Sequence, residues 1–251
     1  MPDQFAARAR SLANVGLHAL GAGDRAHAEY AFARALSWVE EVGSPDERRD
    51  LYRELGFLLY RARLGPLAVD ACRAAVAVAF RTEDPASFAN ALLDYGNALS
   101  GVRREVDAGE IYRQALDLFV ACGRFADAAS ASTNRAIALA NAGRLSEARE
   151  LLERSLEYVR REPFPDTEVK TRLGLIQVLA HLGEDPDRVF DLAASTGKRW
   201  RRGMTPDDAQ VFDQIVGPVI ARYLAAHPGA EARTVVARRL PGYPLPPEGD
   251  A

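Results

Sequence analysis

Small residues recur every 40 positions along most of this chain, at Ala28, Ala68, Ala108 and Ala148, and their surroundings recur with them. Twelve residues before each stands Gly16, Gly56, Gly96 or Ala136, and four residues after stands Phe32, Cys72, Tyr112 or Leu152. Further on come Ala35-Leu36, Ala75-Val76, Ala115-Leu116 and Ser155-Leu156. Fixed spacing with drifting identity marks a structural repeat, because spacing decides which atoms meet while many side chains can fill a given contact.

Within each unit the apolar residues recur at three and four, the period of an amphipathic helix, and no sustained alternation points to strands. Start signals agree. Ser44-Pro45-Asp46-Glu47 reads as a capping box with proline at the first helical position, Asp84-Pro85 places a cap before another such proline, and Thr205-Pro206-Asp207-Asp208 is close to a third. Each unit also breaks near its middle, at Gly21 to Asp24, Leu64 to Pro66, Gly101 to Arg104 and Asn141 to Arg144. Each unit is therefore expected to be two antiparallel helices. Their close crossing requires short side chains, and Gly56 with Ala68 is the expected crossing pair in the second unit.

The expected fold class is all-α, a right-handed α-solenoid of antiparallel helix pairs. Four clear repeats occupy residues 1–162. A degenerate fifth occupies 163–203, where Leu173-Gly174 restores the first-helix motif after Pro163 and Pro165. C-terminal capping helices cover 204–240, broken at His227-Pro228-Gly229, and a Pro-rich disordered tail covers 241–251. Terminal units are expected to be atypical because one face meets water instead of a neighbour.

At 251 residues and 48% hydrophobic composition the chain has ample material for a continuous core. A net charge of −3 gives no support to a dominant nucleic-acid or membrane-surface role. Thirty of the 32 basic residues are Arg, a hint of a GC-rich bacterial source. Cys72 falls at a repeat position held elsewhere by Phe, Tyr and Leu, so it reads as a buried hydrophobe and not as half of a disulfide framework. Arg8 and Arg10 precede an apolar stretch, but Asp3 and the repeat register argue against a signal peptide. A cytoplasmic location is the expectation.

The arrangement resembles the tetratricopeptide repeat family, in its longer, 40-residue-unit form. The resemblance rests on Leu55-Gly56 with Leu59 and Ala68, on Tyr95-Gly96 with Leu99, Ala108 and Tyr112, and on Asn134-Arg135-Ala136 with Leu139, Gly143 and Ala148. The family's first-helix tryptophan is missing, and its proline after the second helix is absent or displaced. HEAT and armadillo arrays have similar periods, but the Leu-Gly and small-residue spacing favours the tetratricopeptide reading.

In that family the first helices line a concave groove. The resemblance therefore implies a peptide- or protein-binding surface at Asn14, Arg53, Phe57, Tyr60, Arg61, Asp94, Asn97, Asn134, Asn141 and Arg172, with Arg10, Leu17, Asp50, Glu54, Asn90, Thr133 and Ile137 beside them. An amide there can bond both the C=O and the N–H of an extended peptide. Chaperone-binding members grip a terminal carboxylate with lysines, asparagines and an arginine. Asn134 resembles one such asparagine, but no lysine lies in the first four repeats, and Glu54 and Asp94 carry the wrong sign.

Catalytic, cofactor and metal sites are not expected. His18, His27, His181 and His227 are scattered, with no HExxH or Cys/His cluster. Around Gly197-Lys198 the first glycine and the final Ser or Thr of a phosphate loop are lacking, and no Gly-x-Ser-x-Gly elbow occurs. Lys198 to Arg202 form one dense basic cluster around Trp200, read as a solvated helix end more readily than as a nucleic-acid site. The expected function is a non-enzymatic interaction scaffold that binds a peptide segment or helix of another protein. The alternatives are a sensor of a signalling peptide, or a regulatory subunit of a separately encoded effector such as a caspase-like protease.

Overall fold

The computed structural model describes residues 4–200 and 206–245. Among them every regular element is helical: α1 (Gln4–Gly21), α2 (Arg25–Glu40), α3 (Pro45–Arg61), α4 (Gly65–Ala79), α5 (Pro85–Gly101), α6 (Glu105–Ala121), α7 (Phe125–Asn141), α8 (Leu145–Arg161), α9 (Pro165–His181), α10 (Pro186–Trp200), α11 (Pro206–Ala226) and α12 (Ala230–Arg239). The chain divides into two compact units, Met1–Ala138 and Leu139–Ala251, and the division falls within α7.

In the first unit α1 pairs with α2, α3 with α4 and α5 with α6, while α1, α3 and α5 also contact one another in succession. The turns inside the pairs fall at residues 22–24, 62–64 and 102–104, in register with the 40-residue period. Each closes through a left-handed residue, Gly23 (φ 79°), Arg63 (φ 56°) or Arg103 (φ 63°). The next amide then reaches back into the helix: Asp24 N–H bonds the Ala19 carbonyl at 2.9 Å, Leu64 that of Leu59 at 2.9 Å, and Arg104 that of Leu99 at 3.0 Å. This pattern satisfies carbonyls that a helix end would otherwise leave open. The second break is therefore earlier than the expected Leu64 to Pro66. Arg63 makes the corner, and Pro66 sits in the first turn of α4, where its missing N–H is no loss.

Between pairs the expected caps form. Ser44 Oγ accepts from Glu47 N–H at 3.3 Å, and Asp84 Oδ1 accepts from Ala86 N–H at 3.0 Å and Ser87 N–H at 3.3 Å. Thr205, the third expected cap, lies outside the described residues.

The glycines at 16, 56 and 96 are required by close approach. A Cβ on Gly16 would come within 2.7 Å of the Phe32 ring, one on Gly56 within 2.5 Å of Cys72 Sγ, and one on Gly96 within 2.5 Å of the Tyr112 ring. The partner of Gly56 is thus Cys72, not the expected Ala68. Ala68 is buried one turn earlier on α4. Burial in this crossing pushes the Cys72 thiol up to about 12.

In the second unit α8 packs on α9, α10 on α9, and α11 on both α9 and α10, with α12 against α11. Gly174 gives Leu152 its space, since a Cβ there would meet Leu152 Cδ2 at 3.2 Å. Arg222 of α11 donates to the carbonyls of Ala180 at 3.0 Å and Glu184 at 3.1 Å, closing the end of α9. Phe190 and Tyr223 stack at 4.2 Å between centroids, and Arg239 lies over Phe190 while pairing with Asp191. The basic segment Lys198 to Arg202 lies outside the described side chains, and residues 246–251 of the Pro-rich tail lie outside the described residues. Among the described residues no helix is long and apolar enough to cross a membrane.

Candidate functional site

Positions 10, 14 and 17 of each unit are spaced to share one face of its first helix. The 40-residue register carries that face from α1 to α3, α5 and α7, so that Asn14, Glu54, Asp94 and Asn134 form one series and Leu17, Phe57, Asn97 and Ile137 another.

Within the first unit a run of polar links joins these helices. Arg10 Nε lies 3.5 Å from Glu54 Oε2, between α1 and α3. Arg53 Nε donates to Asp94 Oδ2 at 2.7 Å, between α3 and α5. Asn134 Nδ2 donates to Asn97 Oδ1 at 2.9 Å, between α7 and α5, and the same oxygen accepts the Tyr112 hydroxyl at 2.9 Å. Arg124 pairs with Asp127 at 2.7 Å and reaches Asn90 Oδ1 at 3.4 Å. Burial pushes the Asp94 carboxyl above its ordinary range, although Arg53 pulls the other way through its charge and its hydrogen bond. The Tyr112 phenol is raised far above its ordinary value, chiefly by burial.

The residues singled out in the sequence therefore separate into groups. Arg53, Asp94, Asn97 and Asn134 knit neighbouring helices together. Asn14 is exposed, as are Phe57 at 59% and Tyr60 at 45%. Arg61 is also exposed, 5.9 Å above the Phe57 ring. The Tyr60 ring leans on α5, where a Cβ on Gly101 would be only 2.8 Å from it. Thr133 is fully buried and lines no surface, because it falls on the packed side of α7. Asn141 and Arg172 belong to the second unit. Asn141 is exposed at the end of α7, while Arg172 pairs with Glu168 at 2.9 Å.

Sequence reasoning missed two hollows of the first unit. A cleft of about 600 Å³ opens where the α3–α4 turn faces the α5–α6 turn, walled by Tyr60, Arg61, Arg63, Pro66 and Val102. A smaller one of about 360 Å³ lies between α2 and α4, beside the exposed Tyr30 and the half-buried Leu67. The larger takes Tyr60 and Arg61 from the end of the implied first-helix face and the rest of its wall from the turns and the start of α4, whereas the smaller is built from α2, the α3–α4 turn and α4. Among the described residues no group of three or more His, Cys, Asp or Glu side chains is placed to hold a metal ion.

No family model matches the chain, and no curated protein is similar to it in sequence. Solved structures are similar in fold. The apo form of RapI superposes with a TM-score of 0.65 at 14% identity, over 84% of this chain and 62% of RapI. The Rap conjugation gene regulator of plasmid pLS20, in complex with the Phr* peptide, gives 0.60 at 15%, over 90% of this chain and 61% of the regulator. A kinesin light chain with nearly identical TPR-like repeats from Podosopora anserina gives 0.60 at 15%, over 79% and 95%. The chain thus spans less than two thirds of these two Rap proteins. Its fold is of the tetratricopeptide type, a stack of antiparallel helix pairs.

Proposed function

We propose that the first-helix face of α1, α3, α5 and the start of α7 is a binding surface for a peptide segment or helix of another protein, and that the chain is a non-enzymatic adaptor. The observation that carries this reading is the exposure of Leu17, Phe57 and Tyr60 beside Asn14, on a face braced by the Arg53–Asp94 and Asn134–Asn97 links. Large side chains held out on a braced face lose little conformational freedom on binding, and aromatic anchors of this kind dominate interface energetics. Asn97 contributes as well. Its Oδ1 is taken by Tyr112 and Asn134, while its Nδ2 makes no bond within the described residues and is available to a peptide carbonyl.

The likeness to the pLS20 regulator in its Phr* complex supports a peptide as the occupant, and a sensor of a signalling peptide as the second reading. The two differ in the consequence of binding: an adaptor holds a protein, whereas a sensor is stabilised by a short free peptide alone. Cytoplasmic location and a bacterial source belong to the same proposal.

Selection of peptides from a displayed random library on the full chain tests the surface. Selected peptides should bind Phe57→Ala/Tyr60→Ala at least about tenfold more weakly, in line with anchors worth roughly 1 kcal/mol or more each. Tyr30→Ala, on a second helix, should leave binding unchanged. Undiminished binding to the double variant refutes the first-helix reading.

A further inference from the structure

The turns inside the helix pairs place their left-handed corner at residues 23, 63, 103, 143 and 183. Glycine fills three of these, Gly23 (φ 79°), Gly143 (φ 81°) and Gly183 (φ 77°), because it alone adopts this conformation without steric cost. Two successive turns carry arginine instead, Arg63 (φ 56°) and Arg103 (φ 63°). A long side chain held in a strained conformation, where the same fold elsewhere uses glycine, calls for a compensating role.

These two turns flank the cleft of about 600 Å³. Its shape depends on two further glycines. A Cβ on Gly101 would press into the Tyr60 ring at 2.8 Å, and one on Gly65 would run into Val102. The opening is strongly basic. Among the described residues Arg61 meets the Phe57 ring and no carboxylate, and neither Arg63 nor Arg103 has an ion-pair partner. The Arg63 carbonyl is taken by Arg25 at 3.2 Å, so its backbone is fixed while its guanidinium remains open. Arg104 alone of these turn arginines is neutralised, by Asp107 at 2.7 Å. The hollow has Tyr60, Pro66 and Val102 on its walls and Arg61 and Arg63 at its rim, with Arg103 next in the chain to Val102, in a chain whose net charge is −3.

We infer that this cleft, which adjoins the α3 end of the first-helix face and shares Tyr60 and Arg61 with it, is a second docking site for an acidic peptide segment of a protein partner, with an apolar side chain in the hollow and carboxylates on Arg61, Arg63 and Arg103. Guanidinium forks bind carboxylates in two-point hydrogen bonds, which rewards planar side-chain acids over a diffuse polyanion. The inference stands on Arg63 and Arg103, turn residues that take no part in the first-helix surface.

Fluorescence anisotropy on the full chain tests it with labelled octapeptides of Asp and Glu around a central Leu or Phe, against the same peptides with Asn and Gln in place of the acids. The acidic set should bind more tightly and weaken as salt rises. Arg63→Gly/Arg103→Gly, which installs the residue used at the other corners and so keeps the fold, should weaken acidic binding by about tenfold or more. Asn14→Ala/Leu17→Ala, on α1 and away from the cleft, should leave it unchanged, which separates this site from the first-helix surface. The inference is overturned if the glycine variant binds like the parent or if the acidic set binds no better than the neutral one. An oligothymidylate that binds as tightly through the same two arginines overturns it too.

Discussion

Cys72 occupies the volume that any side chain at position 56 would need, its Sγ standing 2.5 Å from where a Gly56 Cβ would be. Gly56→Ala should therefore destabilise the chain by about 1–3 kcal/mol, the usual cost of overpacking. Cys72→Ala should recover part of that loss when combined with it, since the two sites share one contact and their effects should not add. Urea unfolding of the four proteins of this cycle measures the coupling.

Arg53 and Asp94 make a second specific prediction. Replacing Arg53 with Met leaves a carboxylate between α3 and α5 without its donor, at a cost of about 1–3 kcal/mol near neutral pH. The pH dependence arises from burial, which raises the folded-state pKa of Asp94 above its ordinary value. The folded state then binds more protons than the unfolded one between the two values, so this group's contribution falls as pH rises through that window. Asp94→Asn should flatten the slope in the mildly acidic range. Denaturant midpoints across that range read it directly.

At high pH the tyrosines should set the limit. Burial raises Tyr52 to about 12 and Tyr112 further. Their stabilising contribution is complete below the unfolded value near 10 and is lost as pH rises beyond it. Absorbance at the tyrosinate band should show Tyr52 and Tyr112 ionising only with unfolding, so that Tyr52→Phe and Tyr112→Phe each remove amplitude from the unfolding step. Tyr112→Phe should cost about 1 kcal/mol through its lost bond to Asn97, while Asn97→Ala should cost about 1–3 kcal/mol, because it removes the acceptor that the Tyr112 hydroxyl and Asn134 share.

In the second unit, Arg222→Met should cost about 1–3 kcal/mol. It removes the donors that serve the carbonyls of Ala180 and Glu184. Hydrogen exchange should then rise at the end of α9 before it rises in α8, which makes no use of Arg222.

The repeat made the helices and their pairing legible, because the 40-residue spacing survives every change of side chain from Gly16 and Phe32 to Gly96 and Tyr112. It could not tell whether Gly56 faces Ala68 or Cys72. Both lie on the buried side of α4, and one turn of helix separates them. The face carrying Asn14, Phe57 and Asn97 was legible for the same reason. Its internal links were not, since nothing in the spacing distinguishes an asparagine offered to a ligand from one that accepts Tyr112. Thr133 sits next to Asn134 in the chain yet points into the core, a rotation of one residue that polar composition alone does not reveal. The basic corners were hidden more deeply. Arg63 and Arg103 look like ordinary surface residues until their φ angles place them where Gly23 and Gly143 stand.

The two cysteines differ in a way that makes this chain its own reporter. Cys72 is sealed behind Gly56 with a thiol held up near 12, whereas Cys122 is exposed at the end of α6. A maleimide dye should therefore attach once per native chain and twice only after unfolding. One native cysteine thus supplies an anchoring point for distance measurements on the first unit, and the other a chemical clock for its opening, with no engineered residue in either role.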